Sequence, residues 1–173
     1  MPLHEYIKKR DLKVSPEPLH KKKSKSPKKT SPLMFVVQEH HASHLHYDFR
    51  LELNGVLKSW AIPKGISLDP KVKRLAVEVE DHPLSYGHFE GVIPQGQYGA
   101  GTVRIWDTGT WEPVGSARQG LKKGHLEFKL RGKKLFGSWV LIKTQRAAGK
   151  KSQWLLIKKS DEYARPHEIS KSA

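Results

Sequence analysis

The stretch from His46 to Leu53 alternates strictly between polar and apolar side chains. The polar positions are His46, Asp48, Arg50 and Glu52, and the apolar positions are Tyr47, Phe49, Leu51 and Leu53. A period of two is typical of a β-strand that lays one face on a core. We therefore predict a half-buried strand here, with the apolar set on the core and the polar set turned outward.

Turn signals and further alternating segments extend this pattern along the chain. Asn54-Gly55 follows the strand directly, and both residue types tolerate the positive φ of a two-residue hairpin turn. The other predicted strands are 34–38, 56–62, 75–80, 102–106, 110–112, 125–130, 138–144 and 153–158, and short helical segments are predicted at 3–10 and 116–123. Many short strands with regular turns are typical of a β-barrel or sandwich. We predict a mainly β fold, a small antiparallel β-barrel with one or two short helices.

The tryptophans at positions 60, 106, 139 and 154 fall inside these strand patterns. Large aromatic side chains at such positions more often pack in a core than stack on bases. We therefore expect all four to be core residues.

The polar face of the 46–53 strand offers an imidazole, a carboxylate and a guanidinium in a row. His46 and Asp48 start about 6.6 Å apart along a strand, so both can lean toward one ion at ligand distances of about 2.0–2.2 Å. Arg50 starts about 13 Å from His46 by the same rise, and it could fork onto an anion beside that ion. His40, just ahead of the strand, can fold back as a third ligand. A surface hydrogen-bonded pair is the other interpretation of the same spacing.

The charge balance points to a polyanionic partner. The chain has 173 residues, with 32 Lys plus Arg against 17 Asp plus Glu, which gives a formal net charge of +15. For a small basic domain the first candidate is nucleic acid, although a generally basic proteome would give the same balance. The lysine-rich run 21–29 has no apolar side chain and reads either as an arm that contacts phosphates or as a solvated linker.

This composition also sets the expected domain organisation. We predict a basic, partly flexible N-terminal arm over 1–31, a β-barrel domain over 32–160 and a C-terminal tail over 161–173. The chain contains no cysteine, so disulfides and zinc–thiolate sites are excluded. Without an apolar run of about 18 residues or a signal-peptide pattern, we expect an intracellular protein.

Four motifs follow one another along the chain. They are Gln38-x-His40-x-Ala42-Ser43-x-Leu45-His46-Tyr47-Asp48-Phe49-Arg50-Leu51-Glu52, Trp60-Ala61-Ile62-Pro63-Lys64-Gly65, Val79-Glu80-Asp81-His82-Pro83 and Glu90-Gly91-Val92-Ile93-Pro94-x-Gly96-x-Tyr98-Gly99-x-Gly101. Together they closely resemble the signature of the 3′-phosphoesterase domain of bacterial LigD-type DNA repair ligases, a domain that also exists in stand-alone form. The resemblance runs from about Arg10 to about Lys159, and we expect a stand-alone form of this domain.

The resemblance implies an enzyme that heals 3′ ends in DNA repair. Such an enzyme removes a 3′-terminal ribonucleoside as a phosphodiesterase and then the 3′-phosphate as a phosphomonoesterase, and it leaves a 3′-OH. The implied cofactor is a divalent metal, Mn²⁺, held by His40, His46 and Asp48. Nitrogen and oxygen ligands are consistent with that ion without being diagnostic of it.

The same resemblance implies roles for residues outside the strand. Arg50 and His82 would stabilise charge on the phosphoryl oxygens, and Tyr86 would orient them. Whether His82 also acts as a general acid stays open. The remaining implied phosphate or substrate contacts are Lys64, which reads equally well as a plain turn lysine, and Arg10, Asp11 and Glu17, which match a segment implicated in the diesterase step.

Partners and location follow by analogy. The expected substrates are the 3′ ends of DNA or of an RNA–DNA primer–template. A DNA ligase, a polymerase or primase, and Ku would act in trans on the healed end, and the protein would be a nucleoid-associated monomer in a bacterial or archaeal cytoplasm. Two other functions remain open: a cupin-like metal oxygenase, and a non-catalytic nucleic-acid-binding module.

Overall fold

The computed structural model describes residues 2–11, 14–18, 32–148 and 151–166. The helices in these ranges are α1 (Leu3–Lys9), α2 (Ala117–Lys123) and a short 3₁₀ helix (Leu84–His88). The strands are β1 (Leu33–His41), β2 (Leu45–Leu53), β3 (Val56–Ile62), β4 (Arg74–Pro83), β5 (Gly91–Ile93), β6 (Gly101–Pro113), β7 (His125–Arg131), β8 (Phe136–Ala148) and β9 (Lys151–Lys158).

Eight of these strands close into an antiparallel barrel. The sheet runs in the order β1-β2-β3-β4-β9-β8-β7-β6, and pairing of β1 with β6 closes it. The small strand β5 pairs with the first residues of β6, outside the closed ring. Closure removes the exposed edges that an open sheet would carry. The predicted mainly β barrel with two short helices is confirmed.

The turn between β2 and β3 matches the sequence signal. Asn54 has φ 53° and Gly55 has φ 80°, as a type I′ hairpin turn requires. Leu53 is therefore paired with Val56, and the register of both strands follows from this turn. The turn thus fixes which β2 side chains share a face.

The barrel interior holds the main hydrophobic core. Its aromatic members include Phe35, Tyr47, Phe49, Trp60, Trp111, Phe128, Trp139 and Trp154. Three of the four tryptophans expected in the core are buried there, and Trp106 is partly buried and packs against it. The apolar face of β2 thus points into the barrel, as its alternation predicts.

The opposite face of β2 is covered by a second layer. This second layer contains a smaller apolar cluster, to which α1 contributes Tyr6 and the 3₁₀ helix contributes Tyr86. Asp48 is only 7% exposed and Arg50 only 3%. The predicted division of the two faces is confirmed, but the polar face is less exposed than predicted: Asp48 and Arg50 lie under this layer, whereas His46 and Glu52 stay partly exposed.

Three predicted strand boundaries are also corrected. β1 ends at His41 rather than at Gln38, so His40 lies on β1. β4 continues through His82, which was placed after the strand end. The segments 102–106 and 110–112 form one strand, because β6 pairs with β1 along almost its whole length across an irregularity at Val37/Gln38.

At each end of the chain, the structure describes some residues and leaves others undescribed. Tyr6 is completely buried in a cluster with Leu57 of β3, and Lys9 bonds to Glu80 of β4, so part of the 1–31 segment packs on the barrel. The lysine-rich run lies outside the described residues, as do residues 167–173. Among the described helices, none has the length and apolar character needed to cross a bilayer.

Candidate metal centre and phosphate site

Three potential metal ligands meet on the outer face of β1 and β2. The strand register sets His40 directly opposite His46, and Asp48 follows two residues later on the same face. His40 Nδ1 lies 3.1 Å from His46 Nε2 and 3.5 Å from Asp48 Oδ2, and His46 Nε2 lies 3.4 Å from the same oxygen. Ligands bound to one ion at about 2.0–2.2 Å are separated by about 3.0–3.5 Å. The spacing of this triad, His40–His46–Asp48, therefore suits a divalent cation.

Backbone carbonyls orient both imidazoles of the triad. His40 Nε2 lies 2.7 Å from the carbonyl oxygen of Gly99, and His46 Nδ1 lies 3.1 Å from that of His44. A carbonyl oxygen only accepts hydrogen bonds, so these two ring nitrogens carry the protons. In the neutral imidazoles, the lone pairs of His40 Nδ1 and His46 Nε2 then face each other and the carboxylate of Asp48; without a cation, a proton bound at either nitrogen is donated to that carboxylate. This arrangement, with the outer nitrogen of each histidine held by the protein, is typical of metal-ligating histidines.

The electrostatics of the triad favour positive charge. Burial alone would raise the pKa of Asp48, but hydrogen bonds from His40 and His46 and the charge of Arg50 hold it well below its usual range. Burial alone would lower the pKa of His46, but the hydrogen bond to Asp48 and its charge outweigh burial and raise it. Asp48 is therefore ionised, as a metal ligand must be.

Arg50 lies next to the triad, and one nitrogen of its guanidinium has no partner among the described residues. Its Nε donates to Gln38 Oε1 at 2.7 Å, and its Nη2 lies 3.6 Å from Asp48 Oδ2. The guanidinium also sits 4.8 Å from the ring centroid of Tyr86. Its buried Nη1 has no hydrogen-bond partner within the described ranges. A buried donor without a partner lowers the free energy of unfolding by about 1–3 kcal/mol. An anion bound at Nη1 would supply the missing partner.

Gln38 fixes the position of Arg50. It is not among the site residues predicted from the sequence. Its amide nitrogen donates to the carbonyl oxygens of Tyr86 at 2.8 Å and Phe89 at 3.1 Å, while its oxygen accepts from Arg50. Gln38 is fully buried. A polar residue inside a predicted buried strand, two positions before His40, was the available signal for a site role.

Replacing Gln38 with methionine should lower kcat/KM for the 3′-end hydrolysis that the family resemblance implies, by about 10- to 100-fold. The reason is that a displacement of the Arg50 guanidinium by about 1 Å would slow the reaction by about that factor. Affinity for the Mn²⁺ that the family resemblance implies should not change, since the Gln38 side chain bonds to Arg50 and to the carbonyl oxygens of Tyr86 and Phe89. Steady-state kinetics and Mn²⁺ titration by electron paramagnetic resonance measure the two effects. The exposed Gln119 of α2, changed to methionine, is the matched control. Loss of Mn²⁺ affinity in Gln38→Met would show that this residue supports the triad instead.

The N-terminal segment brings further charged residues into the site. Arg10 Nε donates to Glu17 Oε2 at 2.6 Å, and its Nη1 donates to Glu80 Oε1 at 3.0 Å. Tyr86 donates its hydroxyl proton to the same Glu17 oxygen at 2.9 Å, across 69 residues of sequence. Arg10 and Glu17 therefore join the N-terminal segment to Glu80 of β4 and to Tyr86 of the 3₁₀ helix.

His82 is held as a neutral imidazole. Its Nδ1–H donates to the carbonyl oxygen of Glu80 at 2.8 Å, and Arg10 Nη2 lies 3.3 Å from its Nε2. Burial, and then the positive charges of Arg50 and Arg10, lower the pKa of His82 well below its ordinary value. At neutral pH, His82 in this arrangement accepts a hydrogen bond and carries no charge of its own.

The lowered pKa of His82 predicts a pH-dependent stability. Below about pH 6.5 the unfolded chain takes up a proton at this residue that the folded protein excludes. Stability is therefore lost as the pH falls from about 6.5 toward the depressed folded pKa, by up to about 1.4 kcal/mol per pH unit. In His82→Asn the amide can keep the hydrogen bond to Glu80 but cannot take up a proton. The free energy of unfolding, measured with urea at a series of pH values below about 6.5, should therefore change less steeply with pH than in the unaltered protein. Equal slopes in both proteins would contradict the buried neutral state.

Asp11 and Lys64, two of the predicted substrate contacts, are exposed. The carbonyl oxygen of Asp11 accepts from the backbone N–H groups of Val14 and Ser15, so Asp11 shapes the turn toward Glu17 while its side chain is exposed. Lys64 is exposed in the loop after β3, and in the described part of the chain no hydrogen bond or ion pair joins it to the triad. The structure brings together the other predicted residues, which are His40, His46, Asp48, Arg50, His82, Tyr86, Arg10 and Glu17.

Comparison with known proteins gives a consistent family. The sequence profile of the DNA ligase D 3′-phosphoesterase domain matches residues 38–143. The multifunctional non-homologous end joining protein LigD of Pseudomonas aeruginosa is 59% identical over 164 residues, which cover 95% of this chain and 19% of that protein. The multifunctional non-homologous end joining DNA repair protein LigD of Mycobacterium tuberculosis is 44% identical over 142 residues, 82% of this chain and 18% of that protein.

A third relative matches a similar share of the chain. The multifunctional non-homologous end joining protein LigD of Mycolicibacterium smegmatis is 40% identical over 172 residues, which cover 95% of this chain and 22% of that protein. The chain thus spans 18–22% of the length of the curated relatives it matches.

Proposed function

Because the chain belongs to the DNA ligase D 3′-phosphoesterase family, we propose that it is a metal-dependent hydrolase that heals 3′ ends during DNA repair. In the first step, water cleaves the bond between phosphorus and the 5′ oxygen of a 3′-terminal ribonucleoside and leaves a 3′-phosphate. In the second step, water cleaves the bond between that phosphorus and the 3′ oxygen and leaves a 3′-OH. The proposed cofactor is Mn²⁺.

One observation carries this proposal. A compact set of two imidazole lone pairs and a carboxylate lies beside a buried guanidinium whose Nη1 is unpartnered among the described residues. The first group suits a cation and the second suits an anion, so together they suit a phosphate ester held by a metal. The arginine favours phosphate chemistry over the oxygen chemistry of a cupin-like site.

The roles of the side chains follow from their contacts. His40, His46 and Asp48 would hold the metal, which as a Lewis acid would draw electron density from the phosphoryl oxygens. Arg50 donates Nη1, its unpartnered group, to a phosphoryl oxygen and so stabilises the charge that develops there. Gln38 and Asp48 hold the guanidinium in place, so little reorganisation accompanies substrate binding.

Tyr86 and His82 complete the phosphate side. Burial, and then the charge of Glu17, raise the pKa of Tyr86 well above its ordinary value, so the phenol keeps its proton and remains a donor. A phosphate group beside His82 opposes the positive charges that lower its pKa, so we propose that His82 gains its proton together with the substrate. His82 can then donate to a phosphoryl oxygen.

The proposed biological context comes from the relatives. Their names describe multifunctional proteins of non-homologous end joining. We propose that this domain prepares 3′ ends for a polymerase and a ligase, with Ku at the break. The run 21–29, which lies outside the described residues, would add non-specific phosphate contacts that weaken with salt.

A primer–template whose primer ends in one ribonucleotide tests the function. With Mn²⁺, the primer should first become one nucleoside shorter with a 3′-phosphate and then acquire a 3′-OH, under anaerobic conditions as well as in air. Without Mn²⁺ neither product should form. Binding without any cleavage would favour the non-catalytic module, and a requirement for oxygen would favour the oxygenase.

A further inference from the structure

Tyr98 lies on a loop that contacts the triad through the next residue, Gly99. The Tyr98 loop comprises residues 94–100, between β5 and β6, and contains two consecutive turns in which Gln97 N–H donates to Pro94 and Ala100 N–H donates to Gln97. Gly99, the next residue, has φ 77°, a conformation that favours glycine, and its carbonyl oxygen accepts from His40. Tyr98 is therefore one residue away from the group that orients a proposed metal ligand.

Two cations of the N-terminal segment also hold the ring of Tyr98. Lys9 Nζ lies 4.9 Å from the ring centroid and 3.5 Å from the hydroxyl oxygen, and the guanidinium carbon of Arg10 lies 5.3 Å from the centroid. Both cations are paired with Glu80, at 3.1 Å and 3.0 Å. The ring therefore has a fixed position, and a ligand that stacks on it would lose little additional freedom of this side chain.

Tyr98 differs from its aromatic neighbours in exposure. Tyr6, Tyr86 and Phe89 of the second layer are buried, whereas Tyr98 is 43% exposed. An aromatic ring that is fixed yet exposed, at the rim of a phosphate site, offers a flat surface to a planar group attached to that phosphate. Every nucleobase has such a π-face, so the surface does not require a particular base.

We propose that Tyr98 is the stacking platform for the nucleobase of the 3′-terminal nucleotide. This inference rests on the proposed 3′-phosphoesterase function and adds a substrate-binding residue to it. The phosphate is held by Arg50, the base that precedes it in the strand is held by Tyr98, and the two contacts together place the end of the strand. Because stacking holds the substrate equally before and during the reaction, its loss affects KM more than kcat.

The test compares two primer–templates that carry a 3′-phosphate. One ends in an ordinary nucleotide and the other ends in an abasic tetrahydrofuran residue. In Tyr98→Ala, KM for the ordinary end should rise by about tenfold with little change in kcat, whereas KM for the abasic end should equal that of the unaltered protein. Tyr98→Phe should retain the low KM on the ordinary end, because the ring is kept and only the hydroxyl is lost.

Two comparisons separate stacking from a structural effect. If Tyr98→Ala only disturbed His40 through the Tyr98 loop, hydrolysis of the ordinary and the abasic 3′-phosphate ends would slow by the same factor. This outcome would overturn the proposal. Tyr163, which is 41% exposed and stacks on Phe136 instead, provides the matched control as Tyr163→Ala and should behave as the unaltered protein.

Binding of the same two oligonucleotides, measured by fluorescence anisotropy in EDTA, does not depend on turnover. There too, Tyr98→Ala should lose about tenfold in affinity for the ordinary end and nothing for the abasic end. If neither end is hydrolysed by the unaltered protein, the proposed function fails. The base-dependent difference in binding would still decide the role of Tyr98, and its absence would overturn that role.

Discussion

Replacing His46 with alanine should abolish both proposed activities, with a loss of more than about a thousandfold in kcat/KM. The substitution removes one of three donor atoms that converge within 3.5 Å of one another. It should also remove the stabilisation by Mn²⁺, which for the unaltered protein is about 2.7 kcal/mol at a Mn²⁺ concentration about a hundredfold above Kd. Kinetics and thermal unfolding with and without Mn²⁺ measure the two effects.

His44→Ala is the matched control for that experiment. His44 is exposed, and it contributes only its backbone carbonyl oxygen to the orientation of His46, so its side chain should be dispensable. His46 is half-buried near the end of a hairpin, so its loss should change the metal-free stability little. If His46→Ala still gained stability from Mn²⁺ and still hydrolysed 3′-phosphate ends, the triad would not be the metal site.

Replacing Arg50 with lysine should lower kcat/KM by at least about 100-fold while Mn²⁺ still binds. The guanidinium bonds to Gln38 through Nε and lies beside Asp48 through Nη2, and among the described residues Nη1 has no partner, so we propose that it binds phosphate. A lysine ammonium is a single point donor and cannot occupy these three directions with the same geometry. Turnover of the 3′-phosphate end and Mn²⁺ titration are the required measurements.

The exposed Arg104 of β6 supplies the corresponding control, since Arg104→Lys preserves the charge and changes no residue of the site. Full activity in Arg50→Lys would show that a positive charge alone is sufficient and would remove the forked contact from the mechanism. Loss of Mn²⁺ binding in the same variant would show that Arg50 acts on the triad rather than on phosphate. The His46 and Arg50 variants should thus separate metal binding from phosphate binding.

The fold was largely predictable because its signals are local. Alternation along 46–53 identified the apolar face that enters the barrel, and Asn54-Gly55 identified the hairpin turn. Strand ends were less predictable. Whether β1 extends to His40 or β4 extends to His82 depends on the pairing of these residues with neighbouring strands, which is not written in the local pattern.

The candidate site was predictable only in part from the residues themselves. His46, Asp48 and Arg50 share a face by period alone, whereas His82, Tyr86, Arg10 and Glu17 were assigned through the family resemblance. The contacts of Gln38 were not predicted, because they are made with a guanidinium on the neighbouring strand and with two carbonyl oxygens 48 and 51 residues away. Such contacts have no periodic signature.

The sequence by itself determined which side chains of β2 lie together, because successive residues of any β-strand point to opposite faces. It also determined the positive charge and the hairpin. Only the tertiary structure decided that the polar face is buried, that His40 stands opposite His46, and that Arg10 reaches His82. The physical reason is that strand register and layer packing arise from contacts between distant segments. These contacts convert a row of polar side chains into a largely buried site, with a lowered pKa at Asp48 and a guanidinium nitrogen of Arg50 that has no partner in the described part of the chain.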